Sequence, residues 1–376
     1  MVQVPATTAD ADASFVTSAL RSTGVIGSAT TVAEVEHVTI GEGVGIVGQL
    51  ARLQLRYDGP ATAAPGTVIM KIPSQYPENR AVADHFNFYE REGRFYQQLA
   101  DKVPVRTPDC YWNEIDVASG AFGLLLEDLG DRTMISQIAG IPGARAASAL
   151  RALARIHGTW WGSPTLDELD WMPRLDEPLN LAAGQQYRDA WPLFEERIHD
   201  ALPDGGLALG ERVQQTFEDL LLAGMAEAPT TVCHGDFRGD NLMFDDRAHP
   251  AHPDDEVAVL DWQIAYRGPA VTDVAYFLCQ SLTVEERRAH EAELVRVWYD
   301  ELCDTARREM GAELDDYPFD LAWTQYRRAA LGTTVYPVTS MGAMDPANER
   351  GKQLVTAMAV RAFTASVDLD AESLLT

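Results

Sequence analysis

The sequence predicts an α+β protein with two lobes, an N-terminal lobe built on an antiparallel β-sheet and a larger, mainly helical C-terminal lobe. Apolar and polar residues alternate strictly over residues 51–57, which is typical of a strand with one buried face. Farther along, apolar residues recur at helical spacing over residues 144–161. Because strand patterns are concentrated in the first third of the chain and helical patterns in the remainder, we expect each lobe to have its own core.

The predicted N-terminal lobe covers residues 1–126, a hinge covers residues 127–130, and the helical lobe covers residues 131–376. We expect a ligand cleft beside the hinge, because such clefts form preferentially where two domains meet. In the first lobe, the patterns predict strands over residues 36–40, 51–57, 67–72, 110–112 and 122–126, and helices over residues 13–21 and 80–100. In the second lobe, they predict helices over residues 144–161 and near 185–200, 209–225, 284–312, 318–332 and 347–367.

Composition restricts the classes of partner. The chain of 376 residues has a net charge of −27, which argues against nucleic acid and against an anionic membrane surface. It lacks an apolar stretch long enough to span a bilayer, and residues 1–14 lack the features of a secretory signal. The four cysteines lie far apart without a CxxC pair, which predicts reduced thiols. We therefore expect a cytoplasmic protein that acts on a small molecule, whereas its oligomeric state stays open.

A glycine-rich turn precedes the alternating strand. Gly43, Gly45 and Gly48 form a GxGxxG pattern, which by itself is a weak signal. A dinucleotide-binding turn requires a helix directly afterwards, whereas a strand pattern follows here. A glycine loop between antiparallel strands is instead the feature that kinases place over ATP phosphates. We assign these glycines to nucleotide binding, with a plain hairpin turn as the alternative.

Lys71 is a single cation in the apolar strand pattern of residues 67–72. Burying an ammonium group is costly unless a carboxylate accompanies it. Kinases pair such a lysine with a helix glutamate and place it against the α- and β-phosphates of ATP. Glu92 is the best candidate for that partner, and Glu90 is the second. The alternative is a lysine at a strand end that reaches solvent beside Pro73.

The segment from His234 to Asn241, called here the 234–241 loop, carries the clearest catalytic pattern. Asp236 and Asn241 stand five positions apart, which is the spacing of the protein-kinase catalytic loop. A carboxylate can accept or orient the proton of a substrate hydroxyl, and we assign that role to Asp236. The neutral amide of Asn241 offers an oxygen to Mg²⁺ without adding negative charge near phosphates. A structural turn is the alternative, but it leaves the next motif unexplained.

Asp261 stands twenty positions after Asn241, at the end of the apolar strand pattern of residues 257–260. An aspartate in this position can bind Mg²⁺, as the DFG aspartate of protein kinases does. Mg²⁺ prefers oxygen ligands, so a carboxylate, an amide oxygen and phosphate oxygens suit it. Asp236, Asn241 and Asp261 together predict an enzyme that uses ATP and Mg²⁺ to transfer the γ-phosphoryl group to a hydroxyl group.

These motifs resemble those of the aminoglycoside phosphotransferase and choline kinase superfamily, especially its ecdysteroid-kinase-like (CHK-kinase-like) branch. The resemblance extends over nearly the whole chain and implies a bilobal, protein-kinase-like fold. It rests on the 234–241 loop with Asp261-Trp262-Gln263, on Glu92-Gly93-Arg94-Phe95-Tyr96, on Leu125-Leu126-Glu127-Asp128-Leu129, on residues 154–161, and on Arg267-Gly268-Pro269 followed by Asp273-Val274-Ala275-Tyr276-Phe277-Leu278.

The resemblance also implies roles that the residue types do not reveal. Backbone groups of Glu127 and Leu129 are expected to hold the adenine of ATP. Gly239 stands where relatives often carry a larger residue, so we expect either a looser loop or additional room for substrate.

For several other residues, a structural role competes with a functional one. His157, Trp160 and Trp161 lie on an amphipathic helix, where core packing is favoured over substrate stacking. Asp273 is expected to hydrogen-bond the 234–241 loop. Arg238 and Arg267 either contact phosphate or form salt bridges within the protein.

The hydroxyl acceptor is the open point of the predicted reaction. The resemblance permits antibiotic, amino-alcohol, steroid-like and hydroxyacyl-thioester acceptors. Aromatic residues of the second lobe predict a partly apolar acceptor pocket: Trp171, Tyr187, Trp191, Phe194, Trp298, Tyr317, Trp323, Tyr326 and Tyr336. The alternatives are a catalytically silent nucleotide-binding module, a metal hydrolase built on His234 and Asp236, and, within the enzyme class, a hydroxyacyl-thioester kinase.

Overall fold

The computed structural model describes residues 2–40, 48–117, 120–247, 256–343 and 348–375. It has an antiparallel sheet in its N-terminal part and a mainly helical C-terminal part, so the predicted α+β, protein-kinase-like fold class is confirmed. The chain divides into two compact units. The first comprises Met1–Lys102, Thr107–Asp131 and Asp261–Ile264, and the second comprises Val103–Arg106, Arg132–Leu260 and Ala265–Thr376.

The main sheet of the first unit is antiparallel throughout. Its strands in the described residues are β1 (Thr31–Thr39), β2 (Gly48–Asp58), β3 (Thr67–Pro73), β4 (Cys110–Asp116) and β5 (Ala121–Glu127). They lie side by side in the order β1-β2-β3-β5-β4. Lys71 on β3 pairs in register with Leu50 on β2 and Leu124 on β5, so it lies on the central strand.

One face of this sheet forms the core of the first unit. Ala51 and Leu53 on β2 are buried whereas Gln54 is exposed, as the alternation predicts. Helix α1 (Ala13–Ser22) packs on the sheet. Asp12 is its N-cap, and the Asp12 carboxylate accepts a hydrogen bond from a backbone N–H in the first turn. The core cluster includes Val16, Ala19, Leu20, Val32, Ala51, Leu53, Val68, Met70, Ile72, Trp112 and Leu125.

The predicted helix over residues 80–100 is interrupted. Helix α2 (Pro77–His85) and helix α3 (Phe88–Gln98) are separated at Asn87, whose φ of 55° lies in the left-handed region that asparagine tolerates better than most residues. The helical pattern continues through this position, so it does not reveal the break. Because α3 starts anew after Asn87, it buries Glu92 against the sheet.

Helices dominate the second unit. In the described residues they are α4 (Gly143–Thr159), α5 (Pro178–Leu181), α6 (Ala183–Ile198), α7 (Gly206–Glu227), α8 (Val271–Ser281), α9 (Val284–Met310), α10 (Phe319–Gly332), α11 (Val335–Ala343) and α12 (Glu349–Asp368). The longer ones are those that the patterns predict, except α8, which was not predicted because nearly all of its residues are buried and it lacks an apolar stripe. Helices α5 and α11 are too short to show a clear period. Helices α4 and α9 approach closely, since a Cβ on Gly158 would lie 2.7 Å from Cβ of Thr305. None of the described helices combines the length and the apolar composition needed to cross a membrane.

Short antiparallel strands of the second unit flank the 234–241 loop. They are β6 (Thr133–Met134), β7 (Thr230–Cys233), β8 (Leu242–Phe244), β9 (Val257–Val259) and β10 (Tyr266–Pro269). Strand β7 pairs with β10, and β8 pairs with β6 and β9. Because β7 ends directly before the loop and β8 begins directly after it, paired backbone holds both ends of the loop.

Candidate active site

Lys71 is the centre of a polar cluster in the first unit. Its Nζ atom lies 2.7 Å from Oε2 of Glu92 and 2.9 Å from Oδ1 of Asp261, and its side chain is buried. A strand-end lysine that reaches solvent is therefore the wrong interpretation. Glu90, the second candidate partner, instead lies 3.6 Å from Arg94 on the same helix. The structure thus brings together residues of β3, of α3 and of the segment after β9.

Two carboxylates share one ammonium group in this cluster. Burial by itself lowers the pKa of Lys71, but Asp261 and Glu92 outweigh that effect and raise the pKa above its usual value. Burial raises the pKa of Glu92 to about 7 against the opposing effect of Lys71, and the Asp261 carboxylate adds to the increase. With both carboxylates ionised, the cluster has an excess of negative charge that a bound cation would neutralise.

The raised pKa of Glu92 predicts a pH dependence of stability. The folded protein holds the Glu92 proton up to about pH 7, whereas an unfolded glutamate loses it at about pH 4.3. The stabilising contribution of the Glu92 carboxyl to the free energy of unfolding is therefore complete below about pH 4.3. It is lost as the pH rises toward the pKa of Glu92 in the folded protein. We expect the free energy of unfolding of the wild type, minus that of Glu92→Gln, to fall over this range by up to about 1.4 kcal/mol per pH unit.

Urea unfolding of the wild type and Glu92→Gln at a series of pH values, without Mg²⁺ or nucleotide, measures this difference. Because the variant removes only the Glu92 carboxyl, the difference reports the titration of Glu92 together with its effect on Lys71 and Asp261. A difference that does not change with pH would show that the proton is bound equally well by the folded and unfolded chains.

Asp261 has an unusual backbone conformation. Its φ of 61° lies in the left-handed region, which residues other than glycine seldom adopt. The next residue, Trp262, is buried, and its ring stacks on Phe95 with 4.0 Å between centroids. Packing of Trp262 therefore holds this strained turn, and strain of this kind is concentrated at functional sites. The Asp261 side chain is 27% exposed, so its carboxylate is accessible to a ligand.

Asp236 is held in a defined orientation within the second unit. Its Oδ1 accepts a hydrogen bond from the hydroxyl of Tyr276 at 2.8 Å and lies 3.0 Å from Nε of Arg238. Its Oδ2 accepts a hydrogen bond from Nδ2 of Asn241 at 2.8 Å, and the same amide nitrogen donates to the Asp236 carbonyl oxygen at 2.9 Å. Because the nitrogen of the Asn241 amide is used as a donor, its Oδ1 is the atom that can offer a lone pair to a cation.

His234 connects the start of the 234–241 loop with the end of β9. Its Nδ1 accepts a hydrogen bond from the backbone N–H of Asp236 at 3.2 Å, so Nε2 carries the proton and donates to the carbonyl oxygen of Leu260 at 2.9 Å. The backbone N–H of Leu260 in turn donates to the carbonyl oxygen of Asn241 at 2.9 Å. A metal hydrolase built on His234 and Asp236 would have to break these hydrogen bonds, and the geometry argues against it.

Asp273 anchors the same loop through its backbone, as the sequence predicts. Its carboxylate accepts hydrogen bonds from the N–H groups of His234 at 2.6 Å and Gly235 at 2.9 Å. Nε2 of His157 lies 3.3 Å from this carboxylate, and Nδ1 of His157 accepts a hydrogen bond from the indole N–H of Trp298 at 3.1 Å. His157 thus has the structural role that its helix pattern favours, as a link from α9 through α4 to α8.

One buried cluster has the spacing of a metal site. It consists of His157, Cys233 and Asp273, whose possible ligand atoms lie within 4.8 Å of one another. Both ring nitrogens of His157 and both carboxylate oxygens of Asp273 are already engaged in hydrogen bonds. Burial raises the pKa of the Cys233 thiol well above its usual value, which disfavours the thiolate that a metal requires. We therefore assign this cluster to the support of the loop.

The two arginines with competing roles both have partners inside the protein. Besides the Asp236 carboxylate, Arg238 contacts Oε1 of Gln137 at 2.9 Å and Oδ2 of Asp240 at 3.2 Å. Arg267 is buried and donates to backbone carbonyl oxygens of the 166–172 segment. Both arginines are therefore engaged in contacts within the protein, which fits a structural role rather than contact with phosphate.

Gly239 is tightly packed, so the expectation of a looser loop or of additional room for substrate is wrong. A Cβ at this position would lie 2.8 Å from the carbonyl oxygen of Ile135. Its backbone N–H donates to Oγ of Ser281 at 3.2 Å. The glycine lets another backbone segment pass directly against the loop, which a larger residue would prevent.

Gly48 is the residue of the glycine pattern that the structure describes, because Gly43 and Gly45 lie outside the described residues. Gly48 begins β2, where a Cβ would lie 3.3 Å from the carbonyl oxygen of Ile72 and 3.8 Å from Cε of Lys71. The backbone at the start of β2 therefore passes directly beside the Lys71 side chain.

The predicted hinge is attached to the sheet of the first unit. Nε of Arg52, on β2, donates to Oδ2 of Asp128 at 2.6 Å, and Nη2 donates to Oδ1 at 3.0 Å. The backbone N–H of Glu127 donates to the carbonyl oxygen of Asp109 at 2.8 Å, so this N–H is already used within the unit. Leu129 has a buried side chain and follows Asp128 directly in the chain.

The structure places most of the predicted pocket aromatics in the helical core. These buried residues are Trp171, Tyr187, Trp191, Phe194, Trp298, Tyr317 and Tyr326. Trp323 and Tyr336 are half-buried. The ring centroid of Tyr336 lies 4.1 Å from that of Tyr276, next to the 234–241 loop.

Tyr276 is a site residue that the sequence interpretation overlooks. It follows Asp273 by three positions on α8, so the two side chains lie on one face of that helix. Since Asp273 was expected to reach the loop, this spacing is the signal from which Tyr276 could have been found.

A model of the phosphotransferase enzyme family matches residues 62–313 of the chain. The matched segment contains Lys71, Glu92, the 234–241 loop and Asp261. No curated protein sequence matches the chain.

Solved structures of kinases share its fold. A choline kinase from Cryptosporidium parvum Iowa II superposes with a TM-score of 0.60 at 10% identity, over 97% of this chain and 98% of that one. A variant of aminoglycoside 2'-phosphotransferase-IIIa in complex with GDP gives a TM-score of 0.54 at 14% identity, over 94% and 100%. A putative aminoglycoside phosphotransferase from Ralstonia eutropha gives 0.51 at 18% identity, over 94% and 97%. At these identities the likeness establishes the fold.

Proposed function

This chain belongs to the phosphotransferase enzyme family, and we propose that it is a small-molecule kinase that transfers the γ-phosphoryl group of ATP to a hydroxyl group with the aid of Mg²⁺. The observation that carries the proposal is the buried Lys71, shared between Glu92 at 2.7 Å and Asp261 at 2.9 Å. An ammonium group held in this way is a fixed positive charge suited to a polyphosphate. The GDP in one of the similar structures supports a nucleotide as the phosphoryl donor.

We assign the nucleotide contacts to the first unit. Lys71, oriented by Glu92, would bind the α- and β-phosphates. The close passage of Gly48 beside Lys71 supports a phosphate-covering role for Gly48, and we extend that role to Gly43 and Gly45, which precede it in the sequence. We assign the adenine to backbone groups of Glu127 and Leu129.

Mg²⁺, when bound, would neutralise phosphate charge, and we assign it to Asn241 and Asp261. Both offer oxygen atoms, which Mg²⁺ prefers. The strained, partly exposed Asp261 belongs to a cluster with an excess of negative charge, which supports a cation ligand. The hydrogen bonds that Nδ2 of Asn241 donates orient its amide, so that Oδ1 is the atom available for a metal.

Asp236 is the residue that we assign to the acceptor hydroxyl. Its carboxylate would orient the hydroxyl and accept its proton during the transfer. Hydrogen bonds from Tyr276 and Asn241 hold that carboxylate in one orientation, which supports a role that depends on geometry. Most of the acceleration in such a transfer comes from positioning and electrostatics.

The test of this function combines nucleotide binding with a panel of acceptors. We expect MgATP to raise the Tm of the protein, and EDTA to remove the increase, because a ligand at 100 times its Kd stabilises the fold by about 2.7 kcal/mol. The panel contains choline, ethanolamine, an aminoglycoside, a macrolide, a sterol and a 3-hydroxyacyl thioester. Mass spectrometry then detects the phosphate that one of these products gains, together with ADP.

Each alternative predicts a different result in the same experiment. A catalytically silent module would bind MgATP but leave every acceptor unmodified and form no ADP beyond the rate without protein. A metal hydrolase would release phosphate from esters in the absence of a nucleotide. A product from the thioester alone would identify a hydroxyacyl-thioester kinase.

A further inference from the structure

Tyr276 lies beside the proposed catalytic carboxylate, in the 273–278 stretch of the sequence, in which only Asp273 was given a role. It is on α8, its side chain is buried, and its hydroxyl donates to Oδ1 of Asp236 at 2.8 Å. Burial raises the pKa of Tyr276 well above its usual value, so the hydroxyl keeps its proton and remains a donor. Its ring is supported by Tyr336, with 4.1 Å between the ring centroids.

The hydrogen bonds of Asp236 distinguish its two carboxylate oxygens. Within the described part of the chain, Oδ1 accepts a hydrogen bond from the Tyr276 hydroxyl at 2.8 Å and forms an ion pair with Nε of Arg238 at 3.0 Å, so two groups already contact it. Oδ2 receives Nδ2 of Asn241 at 2.8 Å and keeps one lone pair. The hydroxyl of an acceptor molecule that approaches Asp236 can therefore donate its hydrogen bond to Oδ2.

We propose that Tyr276 is a positioning residue that directs the acceptor hydroxyl to Oδ2 of Asp236. This inference rests on the proposed phosphoryl transfer. As the acceptor oxygen bonds to phosphorus, the bond from phosphorus to the leaving nucleotide oxygen breaks, and the acceptor proton passes to Oδ2. By occupying Oδ1, Tyr276 prevents a second binding mode in which the hydroxyl would donate to the wrong oxygen and its own oxygen would be misplaced for attack.

Helix α8 is well placed for this role. Asp273 holds the backbone of His234 and Gly235, and Tyr276, three positions later, holds the Asp236 side chain. One rigid helix thus sets both the position of the loop and the rotation of its carboxylate, and sites built on such elements retain their geometry well.

The test is the replacement Tyr276→Phe, which removes the hydroxyl and keeps the ring. The matched control is Tyr299→Phe, because the hydroxyl of Tyr299 likewise donates one hydrogen bond, to the carbonyl oxygen of Tyr317 at 2.8 Å, and Tyr299 has no part in the proposed site. We expect Tyr276→Phe to lower kcat about 10- to 100-fold, the loss typical of one hydrogen bond to a charged group. In Tyr276→Phe, the KM for MgATP and the increase in Tm caused by MgATP should stay at wild-type values. The control should keep wild-type kcat.

A double-mutant cycle separates positioning from a general structural effect. If Tyr276 acts through Asp236, then Tyr276→Phe should change kcat by less than about twofold in an Asp236→Asn background. ADP formation is measured with the best panel acceptor, or with water as the acceptor. Equal losses in both backgrounds, or a wild-type kcat for Tyr276→Phe, would overturn the inference and leave the kinase function intact. A wild type that binds no MgATP and forms no ADP would instead refute the proposed function, and the inference with it.

Discussion

Replacement of Asp236 by asparagine should lower turnover about 10²- to 10⁴-fold while MgATP binding persists. The substitution keeps the size of the side chain, but an amide cannot accept the acceptor proton. In the structure, the Asp236 carboxylate accepts hydrogen bonds from Tyr276 and Asn241, so it is held in a fixed orientation. The measurement is kcat for ADP formation, together with the MgATP-induced change in Tm.

The control for this experiment is Asp219→Asn. Asp219 is an exposed carboxylate on α7, so its replacement makes the same change of charge away from the loop. It should leave kcat at the wild-type value. An Asp236→Asn protein that keeps activity within about tenfold of the wild type would remove Asp236 from the role of catalytic base.

Replacement of Lys71 by methionine should affect both stability and turnover. Glu92 and Asp261 lie 2.7 and 2.9 Å from the Lys71 ammonium, and without it the buried Glu92 carboxylate loses the cation that it contacts. Removing one partner of a buried pair costs about 3–5 kcal/mol. We expect a larger loss at pH 8 than at pH 6, because removing Lys71 raises the pKa of Glu92 above its wild-type value of about 7, and a carboxyl without its cation then loses less stability where it stays protonated. Chemical denaturation at the two pH values measures it.

The double variant Lys71→Met, Glu92→Gln separates the two effects. Replacing the Glu92 carboxylate by a neutral amide should recover most of the stability lost at pH 8, since neutral groups of similar size tolerate burial better. Turnover should be abolished in Lys71→Met and should stay abolished in the double variant, because both lack the fixed positive charge for the phosphates. Lys102→Met, at an exposed lysine in the same unit, is the matched control and should match the wild type in both measurements. A double variant with restored turnover would show that Lys71 serves stability alone.

The elements of the fold could be predicted where the signal is local. Strand β2 is visible in the sequence because alternating side chains point to opposite faces of a sheet. The long helices are visible because each has an apolar stripe. The break at Asn87 was not visible, since the helical pattern continues through it and a single left-handed residue leaves no mark on that pattern.

The sequence by itself determined which chemical groups the chain offers and in what order. Lys71 in an apolar strand, Asp236 and Asn241 five positions apart, and Asp261 at a strand end are all local patterns. Each follows from short-range rules of burial, turn formation and ligand preference, so one sequence was sufficient to propose phosphoryl transfer.

Only the tertiary structure decided how those groups are held. The Lys71–Asp261 contact joins residues 190 positions apart, and the Tyr276–Asp236 hydrogen bond joins residues 40 apart. Likewise, the packing of Gly239 against Ile135 depends on a second segment of backbone that no local pattern reveals. The physical reason is that pairing, pKa and orientation depend on distances between side chains, and those distances are set when distant parts of the chain pack together.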